Sequence, residues 1–457
     1  MKTLLTHGYF LEEDQREQQI MKPYVPLGIL CISAYLEEHG IENEVFDSTF
    51  SSFENFRQHL LESKPNLIGI YVNLMTKLNV LKQVRFIKEN LSQTKIILGG
   101  PEVTHHAENF LRHGADAIVI GEGEQTMLEL CRSGVSQLEN IRGIAFLNDK
   151  NELIRTAPRE KIKNLDALPF PNRTKVNLQR YFDAWKNKHG ESALSVSTMR
   201  GCPYTCKWCS RAVYGESYRR RSPGKVADEI QLLQSQFVFD TLWFVDDVFT
   251  ISHKWLKEFH DELINRKISV RYECITRADR MNEEVIRLLK ESGCFRVWIG
   301  AESGSQKVID AMDRRVDVKQ VREMIQLSKK HGIQAGTFIM LGYPGEEDND
   351  VAETLHHLKT SDPDFYTITI AYPIKGTPMY EEVESNFVQQ LPWETSTDRQ
   401  IDFKRTYSRK YYDYAVRWIS NEMAIQRLNG NGFPQFLKHK MKSLASRGLM
   451  KLEIIRS

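Results

Sequence analysis

Residues 197–215 read "STMRGCPYTCKWCSRAVYG". Cys202, Cys206 and Cys209 stand at four- and three-residue steps, in a segment interrupted by Gly201 and Pro203, and no fourth cysteine follows nearby. A glycine- and proline-bearing segment of this kind is a loop. Steps this short within one loop bring three sulfurs together. Thiolates gathered so closely bind metal or carry out redox chemistry. Structural zinc wants four protein ligands, usually from two knuckles. The nearest histidines, His189 and His253, lie well outside the loop, and Cys274 and Cys294 belong to later strand-like runs. An iron–sulfur cubane normally takes four thiolates. Three leave one iron open to a substrate or cofactor.

The loop follows a strand-like run, "ALSVSTMRG". Further runs come after it: "TLWFVDDVF", "VRYECITR", "FRVWIGAES", "IQAGTFIMLGYP" and "FYTITIAYPIKG", with helical spacing between each pair. Six strand–helix repeats predict a curved parallel sheet, an incomplete relative of the eight-fold barrel. Upstream, "KTLLTHG", "NEVFD", "NLIGIYVN", "KIILGG" and "DAIVIGE" alternate with helical segments in the same way. They predict a Rossmann-like parallel sheet with helices on both faces. "GIAFLNDKNELIRTAPR" predicts a hairpin turning at residues 148–151, and the polar, proline-bearing stretch 160–192 a linker. Beyond about residue 380 the strand rhythm stops. "KYYDYAVRWISNEMAIQRL" reads as an aromatic-rich helix and "FLKHKMKSLASRGLMKLEIIRS" as a basic one. The expected organisation is therefore α/β: 1–142 Rossmann-like, 143–192 hairpin and linker, 193–380 partial six-unit barrel, and 381–457 a helical region capping the active site.

Bulk properties bound the chemistry. At 457 residues the chain is long enough for two or three domains. A formal net charge of +2 gives no global reason to expect nucleic acid or an anionic membrane. Seven cysteines with a single cluster do not resemble a secreted disulfide framework. "MKTLLTHGYFLEEDQREQ" does not read as a signal peptide, and no apolar run approaches the ~20 residues of a membrane span. These features predict a cytoplasmic protein.

The C-x-x-x-C-x-x-C spacing, with Trp208 before the last cysteine, resembles the radical S-adenosylmethionine (SAM) superfamily. The resemblance implies a 4Fe–4S cluster on Cys202, Cys206 and Cys209. Its open iron would be chelated by SAM, which an electron cleaves to methionine and a 5′-deoxyadenosyl radical. It also assigns SAM-binding roles at strand ends. Asp246 and Asp247 in "FVDDVF" would meet the amino group, Arg277 in "ITRADR" a carboxylate, and Glu302 and Ser303 in "GAESGS" the ribose. Gly336, in "GTFIMLGYPGE", would lie near adenine. Each has a structural alternative; Asp247 or Arg277, for example, could equally be a helix cap or a surface ion pair. The triplet at Arg219 to Arg221 reads as a solvated face, and Cys274 and Cys294 as small core residues.

An α/β unit ahead of such a barrel resembles the cobalamin-binding domain of cobalamin-dependent radical SAM enzymes. That family includes the anaerobic bacteriochlorophyll cyclase, hopanoid-modifying enzymes and natural-product C-methylases. The resemblance implies cobalamin contacts in two loops after strands: Gly99, Gly100, Pro101, Glu102, Val103 and Thr104, and then Gly121, Glu122, Gly123 and Glu124. No Asp-x-His-x-x-Gly motif follows the first strand, so no protein histidine is expected on cobalt. The implied activity is modification of an unactivated carbon of a small molecule, with methyl transfer ahead of cyclisation or ring rearrangement. An electron donor such as flavodoxin or ferredoxin is implied, and nucleic acid is not expected as a partner. A methylthiotransferase would want three N-terminal cysteines, where only Cys31 and Cys131 stand. A non-catalytic corrinoid protein would not need the cysteine loop.

Overall fold

The structure, a computed structural model, describes residues 1–428 and 433–456. Five parallel strands open it: β1 (Thr3–His7), β2 (Asn43–Phe46), β3 (Leu67–Tyr71), β4 (Lys95–Gly99) and β5 (Ala117–Val119). The hairpin strands β6 (Ile144–Leu147) and β7 (Leu153–Arg155) extend the same sheet antiparallel, giving the order β2-β1-β3-β4-β5-β6-β7. The order turns back at β1 and β3, the kind of switch point outside whose strand ends ligands bind in open α/β sheets. β9 (Met199–Arg200) and β10 (Arg219–Arg220) pair antiparallel on either side of the cysteine loop. In a six-stranded sheet, spatial order follows chain order: β8 (Ala193–Val196), β11 (Thr241–Phe244), β12 (Tyr272–Thr276), β13 (Cys294–Glu302), β14 (Gln334–Leu341) and β15 (Phe365–Ile370). The strands from β12 to β15 are parallel. The sheet is the six-unit partial barrel that the strand rhythm predicts.

By contact the chain divides into two compact units. The first holds residues 1–203, 210–243 and 392–397. Its sheet is covered on both faces by aliphatic clusters, one including Leu4, Ile70 and Phe110, the other Leu5, Ile97 and Met127. β-branched runs buried on both sides are what a mostly parallel sheet requires. The second unit holds residues 204–209, 244–391 and 398–456. Its helices start on side-chain caps, such as Asn282 accepting from the Val285 amide and Ser408 from the Tyr411 amide.

Two expectations need correction. The segment expected to be a linker holds a helix, Leu178–His189, with Tyr181, Phe182 and Trp185 buried along one face and a left-handed Gly190 ending it. Arg219 to Arg221 do not form a solvated face. Arg219 donates to Glu122 and the Ile162 carbonyl, Arg220 to the Thr198 hydroxyl, and Arg221 to Glu229 and the Ser197 carbonyl. Each of the three is therefore held by a partner rather than by solvent alone. A two-residue strand is too short to leave a periodic signal.

Candidate active site

In the second unit the site is built around Cys206. Its sulfur is buried, and two guanidiniums donate to it, Arg277 Nη1 and Arg314 Nη1, each at 3.7 Å. Arg277 stands just past the end of β12 and is almost fully buried. Its Nε donates to Asp279 and its Nη2 to the Arg314 carbonyl, which fixes the plane of the group. Arg314 donates to the Gly300 carbonyl, lies 3.8 Å from Glu302 Oε1, and sits over the Trp208 ring. Gly300 makes room for it: a Cβ there would come 2.4 Å from the guanidinium nitrogen. Glu302 is held at φ +64°, where the β13–β14 register shifts. Left-handed backbone at a glutamate stores strain, and such residues gather at functional sites. Burial raises the Glu302 carboxyl above its ordinary range, against the opposing pull of Arg314 and Arg277.

The other expected SAM contacts divide. Asp246 is buried and Asp247 exposed, after the end of β11. Crowding by packed neighbours, then the like charge of Asp246, raises the Asp247 carboxyl. A carboxyl held up in this way would be relieved by an arriving ammonium. The Ser303 hydroxyl is committed to a buried network, meeting Thr354 and accepting from the Ser305 amide. Gly336 lies early in β14, where a Cβ would strike the Trp298 ring at 2.5 Å. Packing against that indole accounts for this glycine. Arg314 carries no motif in the sequence. It follows a short helix, Gln306–Ala311, between Asp313 and Arg315, both at positive φ, and meets Cys206 across 108 residues.

Cys202 is half-buried, Cys206 buried and Cys209 exposed. Among the described residues no three His, Cys, Asp or Glu side chains converge on a point that one metal ion could fill. The two guanidiniums beside Cys206 set positive charge next to this sulfur, which complements an anionic iron–sulfur cluster.

In the first unit the two glycine loops lie at the carboxyl ends of β4 and β5. Gly100 has φ +114°, and a Cβ there would meet the Val72 carbonyl at 2.4 Å. Glu102 and Val103 are buried, and Thr104 donates to the Ala212 carbonyl. The 121–124 loop is closed by ion pairs. Glu122 accepts from Arg200 and Arg219, both at 2.7 Å, and from the Ile162 amide; Glu124 accepts from Arg200 at 2.5 Å. These loops therefore offer a ligand mostly backbone and glycine surface. His7, at the end of β1, pairs with Asp47 at 3.0 Å.

Two family models match the chain. The radical SAM superfamily covers residues 196–358, the strand–helix array that begins at β8 and carries the cysteine loop. The B12 binding domain covers residues 20–131, strands β2 to β5 of the parallel sheet with both glycine loops. The chain joins a radical SAM domain to a B12 binding domain, as its cobalamin-dependent radical SAM homologues do. Its two domains imply a 4Fe–4S cluster, SAM and cobalamin. Among relatives of this radical SAM enzyme, an uncharacterised methyltransferase of Pyrococcus horikoshii is 28% identical over 383 residues, covering 81% of each chain. The anaerobic magnesium-protoporphyrin IX monomethyl ester cyclase of Rubrivivax gelatinosus is 26% identical, covering 80% of this chain and 67% of that one. The fold is shared with the radical SAM methyltransferase TsrM of Kitasatospora setae, solved with cobalamin and a 4Fe–4S cluster. The TM-score is 0.70 at 18% identity, over 84% of this chain and 74% of that one.

Proposed function

We propose that the enzyme transfers a methyl group to an unactivated carbon of a small molecule, taking electrons from a flavodoxin- or ferredoxin-class donor. The observation that carries this reading is the pair of guanidiniums, Arg277 and Arg314, turned on Cys206 with Glu302 alongside. Such a pair suits an anionic cluster and the carboxylate of an amino acid chelating it. In this reading Cys202, Cys206 and Cys209 hold the cluster, and Arg277 and Arg314 orient the SAM carboxylate. Asp246 and Asp247 receive its ammonium, Glu302 its ribose hydroxyls, and Trp208 walls the pocket. The loops 99–104 and 121–124 seat the corrin through backbone, with no histidine on cobalt. When bound, the cluster and SAM would supply a 5′-deoxyadenosyl radical and cobalamin a transferable methyl group. The domain limits proposed are 1–142, 143–192, 193–380 and 381–457.

The close similarity to a cyclase keeps ring formation as the second reading. By-products separate the two. Methylation consumes two SAM and two electrons per product, releasing 5′-deoxyadenosine and S-adenosylhomocysteine in equal amounts. Cyclisation releases deoxyadenosine without stoichiometric S-adenosylhomocysteine. Both nucleosides are quantified against product by mass spectrometry, and absence of S-adenosylhomocysteine ends the methylase reading.

A further inference from the structure

The last helix, Phe433–Arg456, packs by one side only. Ser443 donates to Glu422, Arg447 pairs with Asp348, and Glu453 accepts from Ser408. With His439, Ser446 and Met450, these residues recur at three- and four-residue steps and form the inner face. At 100° per residue the opposite face holds Leu437, Met441, Leu444, Gly448, Leu452 and Ile455. Those side chains are exposed: Met441 by 63%, Leu444 by 61% and Ile455 by 81%. The stripe runs for about 27 Å. Basic residues border it, with Lys438, Lys442 and Arg456 along one edge and Lys451 along the other, where Lys440 and Arg447 turn inward to Glu422 and Asp348. Glu453, the only acidic residue of the helix, is on the inner face.

We propose that this helix is an interfacial anchor that lies on an anionic lipid surface. Its convex, ungrooved stripe sets aliphatic and thioether groups at one depth. Lysine stems on both borders can lie along the apolar layer while their ammonium groups reach phosphates. Charge disfavours a second copy of the chain as occupant. Two such stripes face to face would bring basic border against basic border, where paired helices place opposite charges. No segment crosses the bilayer in this proposal, and among the described residues no helix is long and apolar enough to do so.

The test is co-sedimentation of the full-length, anaerobically purified protein with vesicles. One set is phosphatidylcholine alone; the other contains about one-third phosphatidylglycerol. Wild type is expected to bind the anionic vesicles, bind neutral ones at least ten-fold more weakly, and release in high salt. The double variant Met441→Glu, Leu444→Glu should lose ten-fold or more of that binding, and Lys438→Gln with Lys442→Gln several-fold. Because all four residues are exposed, each variant should keep its iron content and melting temperature, so weaker binding would not reflect misfolding. Three outcomes overturn the proposal: no binding to anionic vesicles, equal binding by wild type and the double variant, or a dimer in sedimentation velocity that Met441→Glu abolishes. The last would assign the stripe to a second copy.

Discussion

Two arginine-rich regions of the enzyme handle charge in opposite ways. In the first unit, Arg200 and Arg219 are matched by Glu122 and Glu124 at 2.5–2.7 Å, and Arg173 and Arg221 by the buried Glu229. Each guanidinium there has its carboxylate, and the knot is closed. In the second unit, Arg277 has one carboxylate, Asp279, and Arg314 only a distant one at 3.8 Å. Their remaining donors point to a sulfur and to backbone carbonyls. A closed knot is architecture, because burying it is tolerable only when every charge is met. An open pair of cations keeps capacity for an anion. The contrast separates residues whose charge is spent holding the sheet from residues whose charge is left to offer an anion.

The comparison breaks most severely at the sulfur. Cys206→Ala should abolish cluster assembly: reconstituted protein should carry no 4Fe–4S absorption, and iron should fall to background. Cys202→Ala and Cys209→Ala should do the same, while Cys31→Ala and Cys131→Ala keep four irons. Four irons in Cys206→Ala would remove the ligand assignment.

The next test is a crossed pair. Arg200→Ala leaves Glu122 and Glu124 short of a buried partner and should cost about 3–5 kcal/mol of folding stability. Denaturant midpoints would show it. Arg314→Gln should leave the midpoint of the apoprotein near wild type. It should weaken SAM binding to the cluster-loaded protein by about 1.5–3 kcal/mol, ten-fold or more, in equilibrium dialysis. If Arg200 costs SAM affinity instead, and Arg314 stability, the distinction between closed and open charge is wrong.

A buried carboxylate of the second unit sharpens the contrast. Glu346 is fully buried, and its Oε2 accepts from the Gly342 amide at 2.5 Å. Desolvation pushes its carboxyl up to about 8. The ordinary value near 4.5 is that of the unfolded chain. Between those values the folded protein keeps a proton that the unfolded chain releases, so stability falls as pH rises through the window. Glu346→Gln keeps an acceptor without the titration. Relative to wild type it should be nearly unchanged near pH 4.5 and more stable by several kcal/mol at pH 8. Parallel melting curves for the two proteins across that range would refute the shift.

The strands of both sheets and the cysteine loop were legible because they are local. β-branched runs, glycine stops and short cysteine steps are all written within a few residues. What escaped was set by distance along the chain. Arg314 reaches Cys206 from 108 residues away, and nothing in "MDRRV" announces it. The 178–189 helix was hidden by its polar flanks and the prolines before it. Arg219 to Arg221 looked solvated because charge runs usually are, yet their partners Glu122 and Glu229 lie elsewhere in sequence. Tyr411 and Tyr412, in the aromatic-rich helix of the expected cap, are buried and bonded to Asp348 and the Glu346 carbonyl. Side-chain direction, which needs the fold, decided each of these.

The helix Phe433–Arg456 also changes what a net charge of +2 means. Six Lys and Arg against Glu453 give this helix +5, so the remaining residues carry −3. The near-neutral total conceals an uneven split, with the positive excess on one helix and a net negative count over the rest. In dilute salt its field extends further than any contact, over roughly a Debye length of 10–30 Å. A charged surface would therefore turn the protein before touching it, and fix which end arrives first.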